Sequence, residues 1–154
     1  MKRKQQARAS ARTASGSGAK ESARHTRGKI AEQWHAKMAE WPNSWAGLRE
    51  DIPLGKRLLS ELAPFVTHLA ASELSPKTVR RHVDNLWLLG GTIVRDASLH
   101  GELGLPAAKL LDETLGPYDG PLVFELSESE QSSFDATCRK LYRFRQEGPP
   151  THQL

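Results

Sequence analysis

The stretch from Leu58 to Arg95 constrains the fold of this chain more than any other part of the sequence. Apolar residues recur in it at helical spacing on both sides of a Ser75-Pro76 step. Serine is a favoured N-cap because its hydroxyl accepts from the free amides of a first helical turn, and proline is tolerated at the first helical position. The sequence therefore predicts two amphipathic helices joined by a short turn.

The first helix of this hairpin is predicted to begin near Pro53. Pro64 lies inside the pattern and cannot donate a backbone hydrogen bond, so we expect either a kink there or a helix that begins only at Ala63. The residues predicted to be buried are Leu58, Leu62, Phe65, Val66 and Leu69.

The second helix is predicted to run from Pro76 to about Asp96. Its predicted buried face consists of Val79, His82, Val83, Leu86, Leu89, Ile93 and Val94. Gly90-Gly91 would ordinarily end a helix, but the last two residues of this face stay in phase, which predicts continuation. We expect Gly90 to admit another backbone, Gly91 to face solvent at a cost of about 1 kcal/mol relative to alanine, and the buried histidine to be hydrogen-bonded.

A shorter helix is predicted over residues 30–41, ended by Pro42. Its apolar stripe consists of Ile30, Trp34, Met38 and Trp41. The regular spacing favours core packing of these tryptophans over base stacking. Residues 30–55 carry a net charge of −2, which further argues against a nucleic-acid surface in this segment.

After the hairpin, the sequence predicts a helix from Pro106 to Leu115 and a possible short strand over residues 122–124. Ser127 and Glu130 have the spacing of a capping box, which predicts a last helix from Glu128 to about Arg145. The predicted fold class is all-α, a small bundle of about four to five helices with a disordered basic N-terminal tail.

The tail is residues 1–29, which hold nine Lys/Arg against one acid and no Ile, Leu, Val, Phe, Tyr or Trp. Such a segment buries too little apolar area to offset its ordering entropy. Two interpretations of this segment remain open: an arm that contacts phosphates, or a leader that keeps the protein in solution. Residues 30–146 are predicted to form one helical domain, and residues 147–154 a frayed C-terminus.

The composition argues against several classes of protein. One cysteine, Cys138, allows no internal disulfide, and no apolar run is long enough to span a membrane or to form a secretory signal. We expect a cytoplasmic protein, with association to a bacterial nucleoid as an alternative. The six histidines and the cysteine lack metal-ligand spacing, and no phosphate loop or nucleophile–base pair is present, so we expect no cofactor and no enzyme activity.

The segment Ser75-Pro76-Lys77-Thr78-Val79-Arg80-Arg81-His82 resembles the core-binding domain of tyrosine recombinases, the phage-type integrases. Leu69, Val66 and Phe65 stand six, nine and ten residues before the serine, as that family expects, whereas His82 replaces its usual tyrosine. The resemblance covers about residues 58–95 and implies a small SAM-like helical bundle that grips duplex DNA. Carried over to this sequence, the DNA-contacting residues are Lys77, Thr78, Arg80 and Arg81, joined by Arg95 farther along the helix.

The same serine segment is similar to the recognition helix of LuxR-type helix-turn-helix regulators. That pattern needs a leucine three residues before the serine and a small residue six before it, where this chain has Ser72 and Leu69. The integrase-like interpretation is therefore favoured. Catalysis in that family needs a second domain with a nucleophilic tyrosine and Arg and His partners. Tyr118 and Tyr142 lie in no such context, and the sequence from Asp96 onward is net −5.

These observations predict a non-catalytic DNA-binding protein that contacts duplex phosphates through a basic helix and a basic tail. The alternatives are a protein-interaction or accessory module of a mobile element, with a recombinase or another protein as its partner, a LuxR-like regulator, and a degenerate integrase fragment.

Overall fold

The computed structural model of the protein describes residues 16–148, and all regular structure in that range is helical. Its helices are α1 Gly16–Met38, the one-turn α2 Trp41–Trp45, α3 Ile52–Ala70, α4 Pro76–Leu99, α5 Ala107–Thr114 and α6 Glu128–Glu147. A 3₁₀ turn, Arg49–Asp51, leads into α3. The predicted all-α class and small helical bundle are confirmed. Over these residues no helix combines the length and hydropathy that a membrane-spanning segment requires.

Helix α3 is the centre of the bundle, since it packs against α1, α2, α4 and α5. Its predicted apolar face is buried, together with Leu54 at its start. The helix is continuous through Pro64, so of the two alternatives for this proline, the helix that begins only at Ala63 is wrong. Pro64 and Ser60, whose carbonyl loses its helical partner, both lie on the exposed side, where water can replace the missing hydrogen bond.

Helix α4 forms the predicted hairpin with α3. The Ser75 hydroxyl caps it by accepting from the Thr78 amide at 3.2 Å. The helix continues through Gly90-Gly91 to Leu99, and every residue of its predicted buried face is buried. Continuation past the glycines is confirmed.

The group that approaches Gly90 is the Trp45 indole of α2, so the prediction of another backbone is wrong. The ring lies across both glycines: a Cβ at Gly91 would stand 3.1 Å from Trp45 Cδ1. Its Nε1 donates to the Trp87 carbonyl at 2.9 Å. Gly90 and Gly91 therefore form a slot that holds the Trp45 ring, so Gly91 does more than face solvent at a cost in stability.

Helix α1 is longer than predicted. It begins at Gly16, and between Lys20 and Lys29 none of its side chains is buried. Residues 16–29 are helical although they lack an apolar face; their alanine, lysine, arginine and glutamate residues favour a helix, whereas their three glycines do not. The rest of the predicted disordered tail, residues 1–15, lies outside the described residues.

Helix α1 ends at Met38, whereas Pro42 lies within the first turn of α2. The prediction that Pro42 ends the first helix is therefore wrong. Proline is well suited to a first helical turn because the amide it lacks has no partner there.

The C-terminal part follows the sequence closely, with one exception. Ser127 and Glu130 form the predicted capping box at the start of α6. Residues 122–124 form no strand: Val123 is buried between exposed Leu122 and Phe124, and its amide donates to the Gln131 side chain at 3.0 Å. The three apolar residues thus belong to a loop that a hydrogen bond joins to α6, and the possible strand is wrong. Helix α6 extends to Glu147, and residues 149–154 of the predicted frayed C-terminus lie outside the described residues.

Candidate nucleic-acid interface

The first two turns of α4 carry three exposed basic side chains, Lys77, Arg80 and Arg81. Residues three and four apart on a helix are neighbours on its surface, so the three form one cluster. All three line a shallow depression between α4 and the start of α6, which also includes Ser129 and Glu130. The partial positive charge of a helix N-terminus adds to the attraction that this cluster exerts on phosphates.

Thr78 has a structural role beside this cluster. It is half-buried, and its Oγ1 accepts a hydrogen bond from the Ser75 hydroxyl at 3.0 Å. The cap of α4 accounts for the threonine at this position. Its contact with DNA stays a prediction.

Arg95 is not brought into the cluster. It lies fifteen residues after Arg80 on the same helix, which places it about 22 Å farther along the axis. Its Nη1 lies 3.9 Å from Glu125 Oε1, and both side chains are largely exposed. An exposed ion pair of this kind contributes little to stability.

Helix α1 supplies one further basic side chain, which the sequence interpretation missed. Lys37 lines a groove between α1 and α4 together with Trp34, Trp41, Arg80 and Trp87. The Lys37 ammonium lies 5.0 Å above the centre of the Trp34 ring, which orients it by a cation–π contact. Trp34 and Lys37 are three residues apart, which would have placed them side by side on one helix. The net negative charge of residues 30–55 argued against a nucleic-acid surface there, so the pair was not considered.

Carboxylates limit the direction from which a polyanion can approach. Glu130 accepts from the Ser127 amide at 2.9 Å, and this hydrogen bond lowers its pKa, so the α6 side of the depression carries a fixed negative charge. Asp84 is exposed between the depression and the groove. The most favourable approach to Arg80 is therefore from the side of α1 and Lys37.

A buried polar cluster lies beneath Arg81. His82 Nδ1 is 2.7 Å from the Thr137 hydroxyl, which also accepts from the Asn85 amide at 2.9 Å. Burial lowers the pKa of His82, and the positive charges of Lys140 and Arg81 lower it further. The predicted hydrogen-bonded core histidine is confirmed, and it joins α4 to α6.

This depressed pKa predicts a loss of stability on acidification. Below the ordinary histidine pKa of 6.5 the unfolded chain binds a proton that His82 in the folded protein resists. The free energy of unfolding is expected to fall below that pH, by at most about 1.4 kcal/mol per pH unit from this group. Urea unfolding from pH 7.5 to 5 would measure it. His82→Gln should lack this part of the slope, and equal slopes would contradict the assignment.

The single cysteine, Cys138, is buried. Burial raises the pKa of the Cys138 thiol to about 12, which keeps it protonated and a poor nucleophile at neutral pH. In residues 16–148 no three His, Cys, Asp or Glu side chains are grouped so that they could hold a metal ion. The arrangement offers charge, hydrogen-bond donors and indole faces, which are means of binding.

No protein-family model matches this chain, and neither a curated protein nor a solved structure matches it.

Proposed function

We propose that this protein binds duplex DNA without chemical catalysis, through the first two turns of α4 and the facing side of α1. The observation that carries the proposal is the grouping of Lys77, Arg80 and Arg81 at the capped start of α4, with Lys37 across the groove from Arg80. Guanidinium groups suit phosphates because they donate two parallel hydrogen bonds. The resemblance of the hairpin to integrase core-binding domains supports the same role.

Phosphate contacts of this kind give an affinity that depends on salt and little on sequence. The acidic body restricts binding to this local surface, since residues 30–154 hold 13 Lys/Arg against 17 Asp/Glu. The basic residues of the N-terminal segment add to the same non-specific attraction. The protein would thus bind DNA through its charge and not through the base sequence, and α4 would orient it on the duplex.

Replacing Arg80 and Arg81 together with glutamine tests the proposal on the full-length protein. Each phosphate that is no longer neutralised should reduce the slope of log affinity against log salt by about one, so the slope of the double variant should be smaller by about two. Fluorescence anisotropy with a mixed-sequence duplex over a salt series measures this slope.

The matched control is Arg49→Gln with Lys56→Gln, which removes the same charge from exposed positions outside the depression and the groove. The control should change the slope much less. If both double variants bind like the unchanged protein, or if both weaken equally, α4 does not direct the binding. Arg95→Gln in the same assay decides whether the separate arginine contributes.

A protein-interaction role is the second candidate, and exposed apolar side chains favour it. They are Leu48, Trp87, Leu99, Tyr118, Leu122 and Phe124. Apolar groups that are exposed instead of packed in the core often mark binding surfaces. A partner that co-purifies with the Arg80→Gln, Arg81→Gln variant, which is impaired for DNA, would select this role.

A further inference from the structure

A cavity of about 530 Å³ opens on the side of α4 that faces the α2–α3 connection, away from the start of that helix. Its walls include the Trp45 and Trp87 side chains, with Leu48 and Leu99 at the rim. The volume lies in the range of sites for small organic molecules. Neither Arg80 nor Arg81 lines it, although Trp87 borders both this cavity and the groove beside Arg80.

The cavity contains one buried carboxylate. Asp51 lines it and is 3% exposed. Its Oδ2 accepts from the amides of Gly47 and Leu48 at 2.8 and 2.9 Å. Its Oδ1 is also buried and makes no hydrogen bond of good geometry with the described residues, although the Ser98 hydroxyl lies close to the same carboxylate. A buried charged oxygen without a partner is costly, and a donor supplied from outside would offset that cost.

Charge selects the kind of donor. The Leu48 amide is the largest cause of a lowered Asp51 pKa, and the nearby Ser98 hydroxyl lowers it further, so the carboxylate is ionised at neutral pH. The other charged groups of the cavity, Arg95 and Glu125, lie 3.9 Å apart and offset each other. The net charge of the lining is therefore −1, which favours a cation.

Apolar groups select the body of the ligand. Leu48 is 60% exposed, Trp87 43% and Leu99 74%, and all three border the cavity. In these positions the exposed parts of the side chains contribute no hydrophobic stabilisation, whereas an apolar molecule in the cavity would cover them and remove them from water.

We propose that this cavity is a binding site for a small organic cation, a primary ammonium group on an aromatic or branched apolar body. The ammonium would donate to the Asp51 carboxylate in place of the Ser98 hydroxyl, which also lines the cavity, and the body would lie against Trp87 between Leu48 and Leu99. This site goes beyond DNA binding and does not depend on it.

The test compares three probes that differ in their head group: 2-phenylethylamine, 2-phenylethanol and 3-phenylpropionate. Titration of the ¹⁵N-labelled full-length protein, followed by NMR, gives each dissociation constant. The amine should bind about tenfold or more tightly than the alcohol, because a hydrogen bond to a charged group is stronger than a neutral one. The acid should bind weakest. The indole N–H signals of Trp45 and Trp87 should shift.

Two variants separate the head group from the body. Asp51→Asn retains an oxygen for the Gly47 and Leu48 amides but removes the charge, so amine and alcohol should bind alike. Leu99→Ser alters an exposed rim residue, so it should weaken both ligands equally and keep their ratio. The Arg80→Gln, Arg81→Gln variant should bind the amine as the unchanged protein does, whatever the outcome for DNA.

The proposal is overturned if the unchanged protein binds the amine no better than the alcohol, or if no probe binds at millimolar concentration. Either result would mean that the protein's own donors, Ser98 included, satisfy the Asp51 carboxylate. This comparison needs no variant, so it stands even where Asp51→Asn fails to fold. Ser98→Ala adds a check: if the serine hydroxyl competes for Oδ1 in solution, its removal should strengthen amine binding.

Discussion

Replacing Gly90 with alanine is expected to destabilise the protein by about 2–3 kcal/mol, although alanine is the better helix former. A methyl group at this position would overlap Cζ2 and Cη2 of the Trp45 ring. Helix propensity alone would give a gain of about 1 kcal/mol. The steric effect should prevail because the ring is buried and cannot move freely.

Two features hold the indole in place. Trp45 is buried in the core cluster, and its Nε1 donates to the Trp87 carbonyl at 2.9 Å. Moving the ring to admit a methyl would lengthen that hydrogen bond and open space against α3, where Gly55 also faces the ring. Urea unfolding followed by circular dichroism measures the change.

A double-mutant cycle identifies the cause. In a Trp45→Ala background, Gly90→Ala should become neutral or stabilising, since only helix propensity remains. Gly91→Ala should have a smaller effect than Gly90→Ala, because its Cβ would stand 3.1 Å from the ring edge. If Gly90→Ala still lowers the free energy of unfolding in the Trp45→Ala background, a clash with the indole is not the cause.

The second large effect is expected for Thr137→Val, which keeps the shape of the side chain and removes its hydroxyl. His82 Nδ1 and Asn85 Nδ2 would both lose a partner at 2.7 and 2.9 Å. Leaving a buried polar group unsatisfied costs about 1–3 kcal/mol. Asn85 retains other hydrogen bonds with Ser133, so the expected total is about 2–3 kcal/mol.

Thr114→Val is the matched control, because the Thr114 hydroxyl donates only to the Leu110 carbonyl of its own helix at 2.7 Å. That replacement should change the free energy of unfolding by about 0.5 kcal/mol or less. Equal effects of the two valine variants would show that the hydroxyl of Thr137 does not stabilise the α4–α6 contact.

Local signals in the sequence predicted the elements of the fold well. The Ser75 cap needs only the residues beside it, and the phase of Ile93 and Val94 was enough to predict that α4 continues past its glycines. The reason for those glycines was not predictable in the same way. The ring that fills the slot comes from residue 45, and no local pattern indicates which distant side chain will reach a given helix.

The same limit applies to the candidate site. Lys77, Arg80 and Arg81 were predicted together because helical spacing alone makes them neighbours. Lys37 was missed, since its proximity to Arg80 arises from the packing of α1 beside α4. Arg95 was grouped with the others by the charge of the segment, but a charge sum ignores the length of the helix.

The packing of Trp45 against Gly90 also determines which fragments of the chain can fold as the full protein does. The helical hairpin occupies residues 58–95, yet the ring that completes its packing belongs to residue 45, which precedes it in the sequence. A fragment that contained only the hairpin would leave an empty space beside Gly90 and Gly91. A fragment that is to pack as the full protein does should therefore begin before Trp45, so that it includes α2.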